Sequence, residues 1–191
     1  MGARGDHPIH RPVLLYGVHG DEGRWLDPVV GRMVPPEFRV RKVMSRGPYV
    51  STVDPRFYES EVGARWLEVV ESLRPFDAYV ELHCYRPEAY DRLTRESRGR
   101  VPGLVDFGRG VLLGSVPRGH KQVLGEDVLT LTMEVPRFCD SRTVEVAREI
   151  LELIPGRTRS EFVRELGNRF PGPTKEALRR FRRYYPELEP F

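Results

Sequence analysis

Residues 13–18, Val-Leu-Leu-Tyr-Gly-Val, form an unbroken apolar run that passes straight into His19-Gly20-Asp21-Glu22-Gly23. Such a run has no polar face to offer water, so it belongs in the middle of a sheet covered on both sides. The pattern recurs twice. Residues 78–84 (AYVELHC) and 128–135 (VLTLTMEV) are strand-like and also carry acid or imidazole groups at their ends. Residues 38–44 alternate as a second strand, and 110–116 read as a fourth. Val62, Trp66, Val69 and Leu73 recur at helical spacing, with Ser60 placed to cap the helix and Pro75 to close it. Val144, Ala147, Leu151 and Ile154 mark another amphipathic helix. Strands that alternate with helices through residue 154 predict an α/β fold, with a mixed, mainly parallel central sheet and helices on both faces.

The polar stretch 86–108 holds Pro87, Gly99, Pro102 and Gly103 and reads as a short helix followed by a long loop. Residues 117–127 read as another loop. Thr158 and Glu161 have capping-box spacing, and Pro171 and Pro173 separate that helix from a last one carrying Ala177, Leu178, Phe181 and Tyr184. The expected organisation is a compact α/β domain over residues 1–156 with a C-terminal helical appendage, 157–191, packed on it.

Composition narrows the function classes. With 39% hydrophobic and 31% charged residues, the chain has the balance of a water-soluble globular protein. No apolar run approaches the roughly 20 residues that span a bilayer. Residues 1–10 lack the apolar stretch of a signal peptide, so the expected location is the cytoplasm. A net charge of +3 does not point to nucleic acid. The arginine-rich helix around Arg179, Arg180, Arg182 and Arg183 reads as a solvated face opposite Leu178 and Phe181. Cys84 and Cys139 are expected to be free thiols, and no C-x-x-C pair is present.

In an open α/β sheet, sites form at the carboxyl ends of the strands, where three clusters sit. His19 and Glu22 are three apart, so a helix beginning near Asp21 places both on one side. An imidazole nitrogen and a carboxylate oxygen both suit Zn²⁺. His83 is the best third ligand: Tyr79, Glu81 and His83 share one face of their strand, while Val80, Leu82 and Cys84 share the other. Three protein ligands leave a fourth position for water, the catalytic arrangement. Glu81 is placed to orient an imidazole from behind, and Asp21 is a second candidate for that task. Glu134 shares a face with Thr130 and Thr132 and is placed to act as general base on a metal-activated water. Arg46, Arg56 and Arg86 lie in loops near these ends, with Arg118 and Lys121 weaker candidates for binding an anion. His120 is a conceivable fourth ligand, and Tyr85 a conceivable oxyanion donor. Taken singly, His83 reads as a hydrogen-bonded core histidine and Glu134 as a partner for an arginine; their conjunction at strand ends carries the chemistry. No H-E-x-x-H, G-x-S-x-G, P-loop or G-x-G-x-x-G competes.

The order His-x-x-Glu, then a strand ending in His, then a strand ending in Glu resembles the zinc carboxypeptidase superfamily. The H-G-x-E form of His19-Gly20-Asp21-Glu22 is most similar to the aspartoacylase and succinylglutamate desuccinylase branch. Across HGDEG, STVDP, ELHCY, LLGSV and Glu134-Val135-Pro136, the chain resembles still more closely a small uncharacterised family of methanogenic archaea. The superfamily resemblance implies one Zn²⁺ held by His19, Glu22 and His83, with Glu134 as base. It also implies a small-molecule or peptide-like substrate carrying a carboxylate, and hydrolysis of an amide by an N-acyl amino acid deacylase or carboxypeptidase. Arg56, in Val53-Asp54-Pro55-Arg56-Phe57, matches the substrate-binding arginine of that superfamily, with Pro55 where its asparagine stands. The alternative is a non-catalytic metal-binding or partner-binding protein on the same scaffold.

Overall fold

A computed structural model describes residues 6–43, 49–99 and 101–191. Its centre is a six-stranded sheet built from β1 (Pro12–Tyr16), β2 (Arg39–Lys42), β3 (Ala78–Tyr85), β4 (Val105–Asp106), β5 (Leu112–Gly114) and β6 (Leu129–Pro136). The strand order is β2-β1-β3-β6-β5-β4. The first four in that order run parallel, and β5 and β4 add antiparallel pairs at one edge. This is the mixed, mainly parallel α/β sheet the sequence predicts.

Seven helices accompany it among the described residues: α1 (Glu22–Met33), α2 (Glu61–Leu73), α3 (Tyr90–Thr94), α4 (Arg118–Leu124), α5 (Ser141–Glu152), α6 (Arg159–Arg169) and α7 (Pro171–Tyr184). On one face, Leu14, Val80, Leu82 and Leu131 pack with Leu26 and Met33 of α1 and Val144, Ala147, Ile150 and Leu151 of α5. Phe162 and Leu166 of α6 and Ala177 of α7 join the same cluster. On the other face, Val13, Leu15 and Tyr79 pack with Val62, Trp66, Val69, Val70 and Leu73 of α2 and Leu124 of α4. Every residue of β3 is buried, as a strand sandwiched between two helical layers requires.

The local signals act as their chemistry predicts. Ser60 Oγ accepts the Gly63 amide at 3.0 Å and caps α2. Thr158 and Glu161 form a complete capping box at the start of α6. Both cysteines are free. No helix among the described residues is long and apolar enough to cross a membrane.

Two segments depart from the expectation. Residues 117–127, predicted as a loop, contain α4, whose buried face consists of His120, Lys121 and Leu124. A hydrophobicity pattern cannot find a helix that buries an imidazole and an ammonium. The 86–108 stretch contains α3 and also β4, a two-residue strand too short to leave a periodic trace.

Lys121 is 3% exposed, donates to Thr130 Oγ1 at 2.6 Å and lies over the Phe181 ring. Burial pulls its pKa from 10.5 down to about 7. The unfolded chain therefore binds one more proton than the folded chain between about pH 7 and pH 10.5, and folding is penalised by on the order of a few kcal/mol below that window. Lys121→Met removes the titration. The stability difference between variant and wild type, followed by chemical denaturation, should favour the variant most at pH 6 and shrink steadily toward pH 10.

Candidate metal centre

The first site segment is made by the exit of β1. Gly20 adopts φ +46°, a left-handed conformation that lets the chain turn sharply from the strand into α1. The His-x-x-Glu step closes on itself across this turn. The Glu22 amide donates to His19 O at 3.1 Å, and Glu22 Oε2 accepts the His19 amide at 3.2 Å. β3 then lies between β1 and β6, with His83 in register opposite Glu134. Residues paired across parallel strands project from the same face, so the backbone ladder itself sets these two side chains side by side.

His19, Glu22, Glu81 and His83 are all buried. The His19 and His83 rings stack with centroids 5.1 Å apart and planes 12° from parallel. His83 lies between two carboxylates: Nδ1 is 3.1 Å from Glu22 Oε2, and Nε2 is 3.1 Å from Glu81 Oε1. A further chain of polar groups runs away from the centre. Trp66 Nε1 donates to Tyr79 OH at 2.8 Å, and Tyr79 OH donates to Glu81 Oε2 at 3.1 Å. His120 Nε2 lies 3.6 Å from the same Oε2, while its Nδ1 is 2.7 Å from Tyr58 OH.

The electrostatics follow from this arrangement. Burial opposes charge on His83, but Glu22 and Glu81 outweigh it and hold its pKa well above 6.5. His19 is driven down to about 4 by burial, with His83 adding to the effect. His120 is likewise driven to about 4 by burial. Burial works against ionisation of Glu81, yet His83 and His120 bring it below the usual carboxylate range. Glu134 is half-buried, and burial, with Glu22 adding to it, raises its pKa to about 7.

One group of ligand atoms meets the spatial requirement for a cation: atoms of His19, Glu81 and His83 all lie within 4.8 Å of one another. His19 Nδ1 and His120 Nε2 are buried without a hydrogen-bond partner, and Glu81 Oε1 has the His83 Nε2 contact as its partner. Orphaned buried polar atoms are costly unless something satisfies them, and a metal ion fits two imidazoles and a carboxylate. Glu22, expected as the carboxylate ligand, takes the His19 amide and meets His83 Nδ1. Glu81, expected behind the ligands, meets His83 Nε2. Both acids therefore reach His83, one through each ring nitrogen.

A cleft of about 870 Å³ opens over His19, Glu22 and His83, with Thr132 and Glu134 also lining it; Glu81 lies behind His83 and does not line it. Tyr49 stands at its mouth, 4.9 Å from the His19 ring. Asp21 lies on the rim, where it accepts from Trp25 Nε1 and pairs with Arg137 at 2.8 Å, with no imidazole among its partners. The Arg56 side chain is 81% exposed, interacts with Asp54 and does not line the cleft. Arg118 pairs with Glu187, and the Tyr85 hydroxyl donates to Gly110 O. Arg46 lies outside the described residues. Arg86 does line the cleft, together with Arg92, Arg95, Arg98 and Arg137, which motif reading missed. Their only sequence signal is the density of arginine in a stretch that otherwise reads as a solvated loop.

The wall carrying Arg92 to Arg98 is fastened from outside. Arg180 of α7 donates to Thr94 O at 2.8 Å, Arg95 O at 3.3 Å and Leu104 O at 2.9 Å. Gly103 makes the close approach feasible, because a Cβ there would fall 1.5 Å from Arg95 O.

A family model described as "Uncharacterized protein conserved in archaea (DUF2119)" matches residues 5–186. The chain belongs to this archaeal family. A relative, "Uncharacterized protein MJ0501" of Methanocaldococcus jannaschii, is 25% identical over 190 residues, covering 93% of this chain and 85% of the relative. The match to DUF2119 spans every strand and helix of the fold, including α6 and α7.

Proposed function

We propose that the protein is a zinc-dependent hydrolase of an amide or peptide-like bond. The observation that carries this reading is the meeting of His19, Glu81 and His83 ligand atoms within 4.8 Å, with both histidines lining a cleft that Glu22 and Glu134 also line. The order of these groups along the chain, at three strand ends, supports the likeness to zinc carboxypeptidases and to the aspartoacylase branch. A bound zinc ion would supply Lewis-acid polarisation and acidify a water. His19, His83 and Glu81 would hold it, and Glu22 would fix the His83 ring through Nδ1. Glu134, with a pKa raised to about 7, is matched to removing a proton at neutral pH and returning it to the leaving nitrogen.

The test is metal content. The purified protein should bind one zinc ion per chain, and His83→Ala should lose it; full zinc occupancy in that variant would remove the proposal. Glu81→Gln should weaken zinc more than Glu22→Gln, because Glu81 shares the close group of ligand atoms with His19 and His83.

A second reading, a closed metal site without turnover, is favoured by His120, whose orphaned Nε2 faces Glu81. If His120 is a ligand, His120→Ala will weaken zinc binding by tenfold or more and X-ray absorption will show no water on the metal. If the site is hydrolytic, the variant will keep its zinc and a coordinated water will be visible.

A further inference from the structure

About half of the described arginines pair with a carboxylate, Arg11, Arg65, Arg74, Arg148 and Arg179 among them. The cleft gathers several that do not. Arg86, Arg92, Arg95 and Arg98 line it, and none of the four forms an ion pair among the described residues. Arg86 follows the end of β3, Arg92 lies in α3, and Arg95 and Arg98 lie in the turn beyond it. They therefore reach one cavity from successive pieces of backbone, held together by Arg180.

Arg98 is the most informative of the four. It is half-buried, and the one hydrogen bond of its side chain among the described residues is from Nε to Pro102 O at 3.2 Å, which uses neither terminal nitrogen. A guanidinium stays charged at all physiological pH values, so a half-buried one without a carboxylate is a standing cost unless a ligand supplies the anion. The acids of the floor do not supply it. Glu22 and Glu81 are engaged by His83, and Glu134 acts on Arg98 only at a distance, without an ion pair. Glu88 is the one acid in the same wall, and it is exposed.

We infer that this cleft takes a substrate bearing a phosphate-type group, gripped by Arg98 with Arg86, Arg92 and Arg95. A single carboxylate is satisfied by one bidentate guanidinium. Four unpaired guanidiniums ask for more charge and more acceptor oxygens, which a phosphoryl group provides with a charge approaching −2 and three oxygens. The inference rests on the hydrolase reading for the position of the scissile bond, which would sit between the anion wall and the histidine floor. Anion binding itself does not depend on that reading.

The experiment is a calorimetric titration of the full chain, stripped of metal with a chelator, using inorganic phosphate, pyrophosphate, succinate and acetate. Pyrophosphate and phosphate should bind more tightly than succinate, acetate should not register, and affinity should fall as salt is raised. Arg98→Gln should weaken pyrophosphate at least tenfold. Arg95→Gln, at an exposed position that puts folding at little risk, should weaken it severalfold. Arg65→Gln, on the outer face of α2, should leave it unchanged. Succinate binding as tightly as phosphate would overturn the phosphoryl assignment in favour of a dicarboxylate. Pyrophosphate binding unmoved by either cleft variant would mean an adventitious ion only, and absence of binding would overturn the inference. His83→Ala separates the two proposals: it should keep pyrophosphate binding while losing zinc. Zinc retained in that variant would sink the metal reading and leave the anion site standing.

Discussion

Glu134→Gln should leave zinc content unchanged and lower turnover by about 10²- to 10⁴-fold, the range expected for removal of a general base. The substitution is nearly isosteric, so loss of activity with loss of fold would not be the expected pattern. Stability supplies an independent readout. In the metal-free protein burial raises the Glu134 pKa to about 7, against 4.5 for an ordinary glutamate. A carboxyl raised in the folded state binds its proton more tightly there than in the unfolded chain. Folding stability then falls as pH rises through the window from about 4.5 to 7. The penalty at pH 8 is on the order of 3 kcal/mol. Glu134→Gln should therefore stabilise the metal-free chain at pH 8 and change it little at pH 4. Urea denaturation at the two pH values checks this, and an equal effect at both would show that Glu134 is ionised freely in the fold. Turnover that survives the substitution would remove Glu134 as the base.

Trp66→Ala should cost about 3–5 kcal/mol, the range for emptying a fully buried indole site. Trp66 is 0% exposed and packs among Phe57, Tyr58, Tyr79 and His120, the last with ring centroids 4.3 Å apart. It also donates to the Tyr79 hydroxyl that in turn donates to Glu81. Its removal thus opens a void directly behind the proposed metal ligand. Tyr79→Phe separates packing from positioning. It keeps the ring, removes the hydrogen bond to Glu81, and should lower zinc affinity by about 10- to 100-fold with a much smaller loss of stability. A denaturation midpoint and a competitive zinc titration measure the two effects. Unchanged zinc affinity in Tyr79→Phe would show that Glu81 needs no support from behind.

The sheet and most of its helices are legible in the sequence because their signals are local. The apolar runs at 13–18 and 78–84 have no solvent face, Ser60 and Thr158 cap the helices they announce, and the polar ends of the strands face one another once the strands are parallel. The convergence of His19, His83 and Glu134 is legible for that reason. The hydrogen-bond partners of Glu22 and Glu81 are not legible. Both acids reach His83, and which nitrogen each meets depends on the orientation of one ring within a three-strand register. α4 escapes because its buried face is polar. The cleft arginines escape for a different reason: nothing in 86–108 distinguishes a guanidinium aimed inward from one in water. Arg56, singled out by a partial motif, has its side chain in solvent beside Asp54.

The three carbonyls held by Arg180 bear on how the protein is made. β1, β3 and β6, which carry the histidines and acids of the floor, are complete by residue 136. The wall that carries the unpaired arginines is pinned by a side chain from residue 180. As the chain leaves the ribosome, the strands that carry the floor residues are therefore made well before the side chain that fastens the arginine wall above them.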